Sequence, residues 1–286
     1  MAKLRVDVGH GPLSAEYGRL LRTALRRGEG DPEAVLAKAT LVGDYSPEIL
    51  AIARDTWLRR MLHEHHSATI FSNLLPQLME AEVSLDVKAV TLRMAMDELR
   101  HATLCAGMVR LLGGEPELEA NLHTDPLPTH ADATRFEAAL RNALFAGLSE
   151  TVALALLTQE RELATEPAAR AVLTQLAGDE VLHAKLGWGL LNDARDLLDA
   201  DGWARLERYL PIALGTLEAR MHEAMPLGKP RTDEELDALD ALGAMESREG
   251  RTLFARTMQD VVLPRLEAAG LAAREAWRLR RPSQEA

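Results

Sequence analysis

The sequence predicts an all-α protein: a four-helix bundle of two antiparallel hairpins joined by one long crossover, with additional helices at its C-terminal end. Only 4 % of the 286 residues are aromatic, while Ala and Leu recur throughout, a composition that favours packed helices over sheets. Four long segments also have the hydrophobic periodicity of helices. Two connections between them are very short and one is long, which makes neighbouring helices antiparallel.

Helix-start and helix-stop signals define the first hairpin. Residues 46–48 (Ser-Pro-Glu) are typical of an N-cap, a first-turn proline and an acidic first turn. The helix that they open runs over about 46–82, with Pro76 inside it. A second helix over about 84–112 stops at Gly113, because a glycine pair is the usual C-terminal signal. These two helices form the first predicted hairpin.

A loop of nearly twenty residues, 113–131, separates the two hairpins. We expect the third helix over about 132–164 and the fourth over about 167–198, joined by a short turn at Pro167. Further helices are predicted over about 202–224, bent at Pro211, then over about 232–243 behind a capping box, and from about 246 to Pro264, which ends or kinks the last one.

The chain is thus expected to have three parts. Residues 1–45 form an N-terminal segment with a short amphipathic helix at about 14–27, residues 46–199 form the bundle, and residues 200–286 form outer helices. The outer helices either pack on the bundle or pair it with a second copy in a homodimer.

Composition excludes several classes of function. A net charge of −11 argues against a nucleic-acid-binding or anionic-membrane surface. The single cysteine, Cys105, excludes an internal disulfide and any site built from several cysteines. Without a run of 18 apolar residues or a signal-like N-terminus, no membrane span is expected, and the chain is expected to be cytoplasmic.

Two segments repeat one pattern of acidic and histidine residues. Residues 97–101 (Asp-Glu-Leu-Arg-His) stand in the second predicted helix, and residues 179–183 (Asp-Glu-Val-Leu-His) stand in the fourth. Helical residues i and i+3 share a face, so each Glu-x-x-His pair can hold one metal ion. The pairs are Glu98 with His101, and Glu180 with His183. Chance alone would give one or two such pairs from nine His and 44 acidic residues. The surroundings of the pairs must therefore show whether they are metal ligands.

Four glutamates are predicted to face the apolar core of the bundle. Glu64 on the first helix and Glu150 on the third fall in apolar stripes, as do Glu98 and Glu180. A buried unpaired carboxylate costs several kcal/mol, and four such carboxylates carry a charge that two divalent cations would neutralise. Glu and His ligands without thiolate suit iron or manganese and tolerate zinc. The sequence therefore predicts a dinuclear metal site.

This ligand pattern resembles that of the ferritin-like di-iron carboxylate superfamily, over roughly residues 46–199. The resemblance implies two iron ions, with manganese or a mixed Mn/Fe pair as alternatives. It implies one metal held by Glu64, Glu98 and His101, and the other held by Glu150, Glu180 and His183. Glu98 and Glu180 are then the candidates for bridging both metals.

The residues around these pairs resemble the Asp-Glu-x-Arg-His signature of bacterial multicomponent monooxygenases, desaturases and ribonucleotide reductase small subunits. The resemblance implies that Asp97 and Asp179 each accept the free ring N–H of a ligand histidine, in the opposite hairpin if the pairs are crossed. The second motif has Leu182 where the signature has Arg, so the role of that arginine falls to Arg100 alone.

Simpler interpretations stand beside these hypotheses. The pairs could be surface pairs, His65 and His66 are expected at the rim or in solvent, and Cys105 is expected to be plain core. The pair of Glu218 and His222 is expected at the surface. Three small residues near Glu150 favour either a substrate cavity or close helix packing. They are Ala143, Ala146 and Gly147.

The leading functional hypothesis is a non-haem di-iron oxidoreductase that activates O₂ to oxidise or oxygenate a small organic substrate. A separate reductase as electron donor is left open by the sequence. One alternative is a ferroxidase or metal-handling protein, although some ninety residues beyond the bundle exceed what a compact storage subunit needs. The other alternative is a non-catalytic helical association module.

Overall fold

Four long helices form the centre of the protein. The computed structural model describes residues 2–5, 36, 38–124 and 126–281, so the helix predicted at about 14–27 lies outside the described residues. The long helices are α1 (Pro47–Glu80), α2 (Leu85–Leu111), α3 (Arg135–Leu163) and α4 (Pro167–Leu197). Contacts join α1 with α2, α3 with α4, α1 with α3, and α2 with α4. They therefore close into the predicted bundle of two hairpins.

Side-chain caps place the starts of α1 and α3. The Ser46 hydroxyl accepts a hydrogen bond from the Ile49 amide at 3.3 Å. At α3, Thr134 and Glu137 form a reciprocal capping box, so the helix begins three residues later than the sequence predicts. Pro76 lies inside α1 without ending it.

The crossover is not wholly irregular. It contains β2 (Glu117–Ala120), which pairs antiparallel with β1 (Ala2–Arg5). Leu4 is buried and stands opposite Leu118. Neither strand is predicted from the sequence, because a four-residue strand is too short to show a period and its partner lies more than a hundred residues away.

The C-terminal helices pack on the outside of the bundle. They are α5 (Ala200–Ala224), α6 (Asp233–Ala241), α7 (Ser247–Thr257), α8 (Leu263–Ala268) and α9 (Ala273–Arg278). Helices α5, α6 and α7 contact α3, and α6 also contacts α1. A π-helical turn, Met258–Val262, links α7 to α8. Pro264 cannot donate to a carbonyl of the preceding turn, and the widened turn lets the helical path continue past it.

A polar layer divides the core into two apolar clusters. Along α1, Trp57 belongs to one cluster and Phe71 to the other, with Glu64 between them. Along α2, Met94 and Cys105 belong to opposite clusters in the same way. The layer therefore crosses the middle of the bundle, with one apolar cluster on each side of it.

Helix α3 is apolar because it is a core helix. By length and composition it is the one helix of the described residues that could cross a membrane. In the bundle, 67 % of its most apolar window is buried, and Glu150 in this helix reaches the polar layer. Its apolar character is thus explained by packing.

Candidate metal centre

The polar layer brings all six predicted ligands together from four helices. They form two groups, and within each group one ligand atom of every residue lies within 4.8 Å of the others. The first group is Glu64, Glu98, His101 and Glu180, and the second is Glu98, Glu150, Glu180 and His183. Because Glu98 and Glu180 belong to both groups, they occupy the place expected of bridging carboxylates.

Both histidines turn the same ring atom toward the carboxylates. His183 Nδ1 lies 2.9 Å from Glu98 and 2.8 Å from Glu180. His101 Nδ1 lies 3.4 Å from both Glu64 and Glu180. The opposite ring atom, Nε2, faces an aspartate in each case, at 3.2 Å for His101 and 3.7 Å for His183.

The aspartates are crossed between the hairpins. His101 on α2 faces Asp179 on α4, and His183 on α4 faces Asp97 on α2. This arrangement leaves Nδ1 of each ring directed at the ligand cluster and leaves the Nε2–H for the aspartate.

Several buried atoms of this cluster have no hydrogen-bond partner among the residues that the structure describes. Those that face the ligand groups are Nδ1 of His101 and of His183, both carboxylate oxygens of Glu98, and Oε2 of Glu180. A buried polar atom without a partner costs about 1–3 kcal/mol, and more when it is charged. All of these atoms are nitrogen or oxygen atoms that can ligate a metal, and they face one another, so the residues fit a pair of divalent metal ions.

The charges around the cluster support the same conclusion. Arg93 Nε donates to the two oxygens of Asp97 at 2.9 and 2.8 Å, and Arg100 donates to Asp179. These two arginines balance the two aspartates. The four glutamates of the ligand groups therefore keep an uncompensated charge of −4, which two divalent cations would cancel.

Without metal, bound protons supply the balancing positive charge, because several groups of the cluster have raised pKa values. Burial, reinforced by repulsion from Glu180, raises the pKa of Glu98 and of Glu150 well above the usual value. Burial acts to lower the pKa of the two histidines, but the surrounding carboxylates outweigh it. The pKa is therefore raised for His101, chiefly by the Asp179 hydrogen bond, and for His183, chiefly by the Glu180 charge.

The aspartate partner of His101 stays ionised. Burial acts to raise the pKa of Asp179, but its hydrogen bond with His101 and the charge of Arg100 lower it to about 2. The pKa of Glu180 is lowered as well, because the charges and hydrogen bonds of the two histidines overcome the effect of burial. Asp179 can thus accept the Nε2–H of its histidine over the whole physiological range.

Comparison with known proteins identifies the fold. No family model matches the chain, and no curated protein is significantly similar in sequence. A solved structure, "Protein 19 with aldehyde deformylating oxidase activity from Synechococcus", superposes with a TM-score of 0.51. The two sequences are 20 % identical, and the match covers 80 % of this chain and 96 % of that chain. This chain has a ferritin-like fold.

Two side chains that sequence reasoning missed orient the aspartates of the ferritin-like bundle. Arg93 and Gln175 each stand four residues before an aspartate, and Gln175 Nε2 donates to Asp179 at 2.9 Å. The spacing i, i+4 on the inward face was the signal that could have found them. Arg100 was predicted, and besides contacting Asp179 it lies 3.8 Å from Asp97. One arginine thus reaches both aspartates.

The small residues of the ferritin-like bundle serve close helix packing at Gly147. A Cβ added to Gly147 would lie 2.9 Å from the Cα of Gly187, and one added to Gly187 would lie 2.5 Å from the Ala143 carbonyl oxygen. Both glycines are therefore needed for α3 and α4 to approach. This favours packing over the substrate-cavity interpretation at Gly147.

The structure agrees with the simpler interpretations of His65, His66 and Cys105, but not with that of Glu218 and His222. His65 and His66 are half-buried and belong to neither ligand group. Cys105 is fully buried, and burial raises the pKa of its thiol well above the usual value, so it remains a protonated core residue. The predicted pairing of Glu218 with His222 is wrong, because Glu218 pairs with Arg280 at 2.7 Å.

Proposed function

We propose that the protein is a di-iron oxidoreductase that activates O₂ to oxidise or oxygenate a small organic substrate. The observation that carries the proposal is the pair of ligand groups that share Glu98 and Glu180. Within the described part of the chain, several buried ligand atoms of these groups have no hydrogen-bond partner. The donors are oxygen and nitrogen atoms only, which suit iron or manganese. The oxidase activity of the similar structure from Synechococcus supports the reaction class.

The roles of the residues follow from their positions. Glu64, Glu98 and His101 would hold one ion, and Glu150, Glu180 and His183 the other, with Glu98 and Glu180 reaching both. Bound ferrous ions would supply electrons for the reduction of O₂. Asp179 holds the Nε2–H of His101, and Asp97 faces Nε2 of His183 at 3.7 Å, so Nδ1 of each ring is left to ligate.

The surrounding core controls access of water. Apolar clusters lie on both sides of the layer, so the polar groups in this part of the core are the ligands and their partners.

The proposal also includes a separate reductase as electron donor and a homodimer formed through the outer helices.

The test supplies O₂ and candidate substrates to protein reconstituted with Fe(II). Aldehydes of several chain lengths come first, with formate and the shortened product as readouts, followed by amines and alkenes. We expect substrate-dependent O₂ consumption that Glu98→Ala abolishes. Glu162→Gln is the matched control, because Glu162 is an exposed carboxylate on α3, and it should retain full activity.

Two outcomes would contradict the proposal. Repeated oxidation of excess Fe(II) to mineral without organic product would identify a ferroxidase. Equal O₂ consumption in wild type and Glu98→Ala would mean that the ligand cluster does not carry the reaction.

A further inference from the structure

The two halves of the metal centre are built differently outside the ligands. On the His101 side, Asp179 accepts from Arg100 and, at 2.9 Å, from Gln175. The Arg100 side chain is 3 % exposed, and Gln175 is 4 % exposed. This aspartate is therefore held from two directions in a buried environment.

The His183 side is held less firmly. Its aspartate, Asp97, is bound by Arg93, whose side chain is 34 % exposed, and Arg100 is 3.8 Å away. The distance from Asp97 to His183 Nε2 is 3.7 Å, and this nitrogen has no hydrogen-bond partner among the described residues. By contrast, His101 Nε2 lies 3.2 Å from Asp179 with hydrogen-bond geometry.

The contacts of the rings with the ligands agree with this difference. His183 leans toward Glu98 and Glu180, at 2.9 and 2.8 Å, and away from its aspartate. His101 remains against its aspartate and lies 3.4 Å or more from the glutamates. A metal ion would thus find His101 already oriented, whereas His183 has to turn back toward Asp97.

We infer that the two metal positions are unequal: the Glu64–His101 position retains its ion, and the Glu150–His183 position is where metal enters and leaves. Outer partners of a ligand histidine typically change metal affinity 10- to 100-fold, so the ions should differ in release rate by about tenfold or more. Gln175 is then a positioning residue for the first position, and Arg93 for the second. The inference rests on the dinuclear centre of the proposed function but not on its substrate.

The experiment measures zinc release, which requires no turnover. Protein loaded with Zn(II) is mixed with excess chelating dye, and we expect two phases of equal amplitude. Glu64→Gln should remove the slow phase, and Glu150→Gln should remove the fast phase. Gln175→Met keeps the side-chain volume but not the donor, and it should accelerate the slow phase about tenfold without changing the fast one. Arg93→Met should change only the fast phase.

The possible failures are distinguishable. A single release phase with two zinc ions bound, or loss of the slow phase in Glu150→Gln, would overturn the inference and leave the dinuclear centre intact. Acceleration of both phases by Gln175→Met would mean a general loosening of the bundle, which also overturns the role given to Gln175. Wild-type protein that takes up no zinc or iron would overturn the centre and the inference together.

Discussion

Binding of metal to the metal-free protein should release protons. Metal ligation requires neutral imidazole and ionised carboxylate, whereas the metal-free centre raises the pKa of two histidines and two glutamates. The surrounding carboxylates raise the pKa of both histidines well above the ordinary value, so the metal-free centre favours the protonated rings. In the metal-free protein, bound protons thus provide the positive charge that the metal ions would otherwise provide.

The size of the release follows from these four groups. His101 and His183 give up two protons, and Glu98 and Glu150 give up as many as two more, so about two to four protons should leave when both positions fill. The upper value equals the charge of two divalent ions. Since fewer protons remain bound as the pH rises, the release should fall on going from neutral to alkaline solution.

The release is measured by adding Zn(II) to metal-free protein in weakly buffered solution with a pH indicator, calibrated against added acid. Calorimetry in two buffers of different ionisation enthalpy checks the count. Glu162→Gln serves as the control and should release as many protons as wild type. Release of fewer than one proton per chain, with two zinc ions bound, would refute the electrostatic account of the centre.

Three other predictions concern the packing, the pH dependence and the ligands. Gly187→Ala should destabilise the protein by about 1–3 kcal/mol through overpacking. Gly189→Ala should stabilise it by up to about 1 kcal/mol, because a Cβ there meets no described atom within 4 Å. Thermal melts that rank the two variants the other way would contradict the α3–α4 contact. The metal-free protein should lose stability as the pH rises above 6.5, the ordinary pKa of histidine. The raised pKa of His101 and His183 in the folded protein stabilises it fully below their unfolded pKa, and this contribution is lost as the pH passes the folded pKa. A melting temperature that does not fall between about pH 6 and 9 would contradict this prediction, with the metal-loaded protein as the comparison. Glu150→Ala should lose the metal of at least one position, and metal analysis that finds both ions retained would mean that the ligand set is wrong.

The long helices were predictable because their signals are local. Ser46 caps α1 through a residue three positions away, and the apolar periodicity of each helix is visible in its own sequence. The inward phase of Glu64 and Glu150 is also a local property. Their meeting in one layer follows once the turns make the helices antiparallel.

The features that escaped prediction depend on contacts between distant segments. Strand β2 forms against residues 2–5, which are more than a hundred positions away in the sequence. The need for a glycine at position 147 depends on which residue of α4 stands opposite, which is Gly187. Gln175 has the same spacing to its aspartate as Arg93, but its role depends on Asp179 being turned toward another hairpin.

Metal content is the most direct test of the central claim that six residues on four helices form a dinuclear centre. The measurement is elemental analysis of wild-type protein reconstituted with Fe(II) under anaerobic conditions and freed of unbound metal. We expect close to two iron ions per chain. Less than half an ion per chain would contradict it.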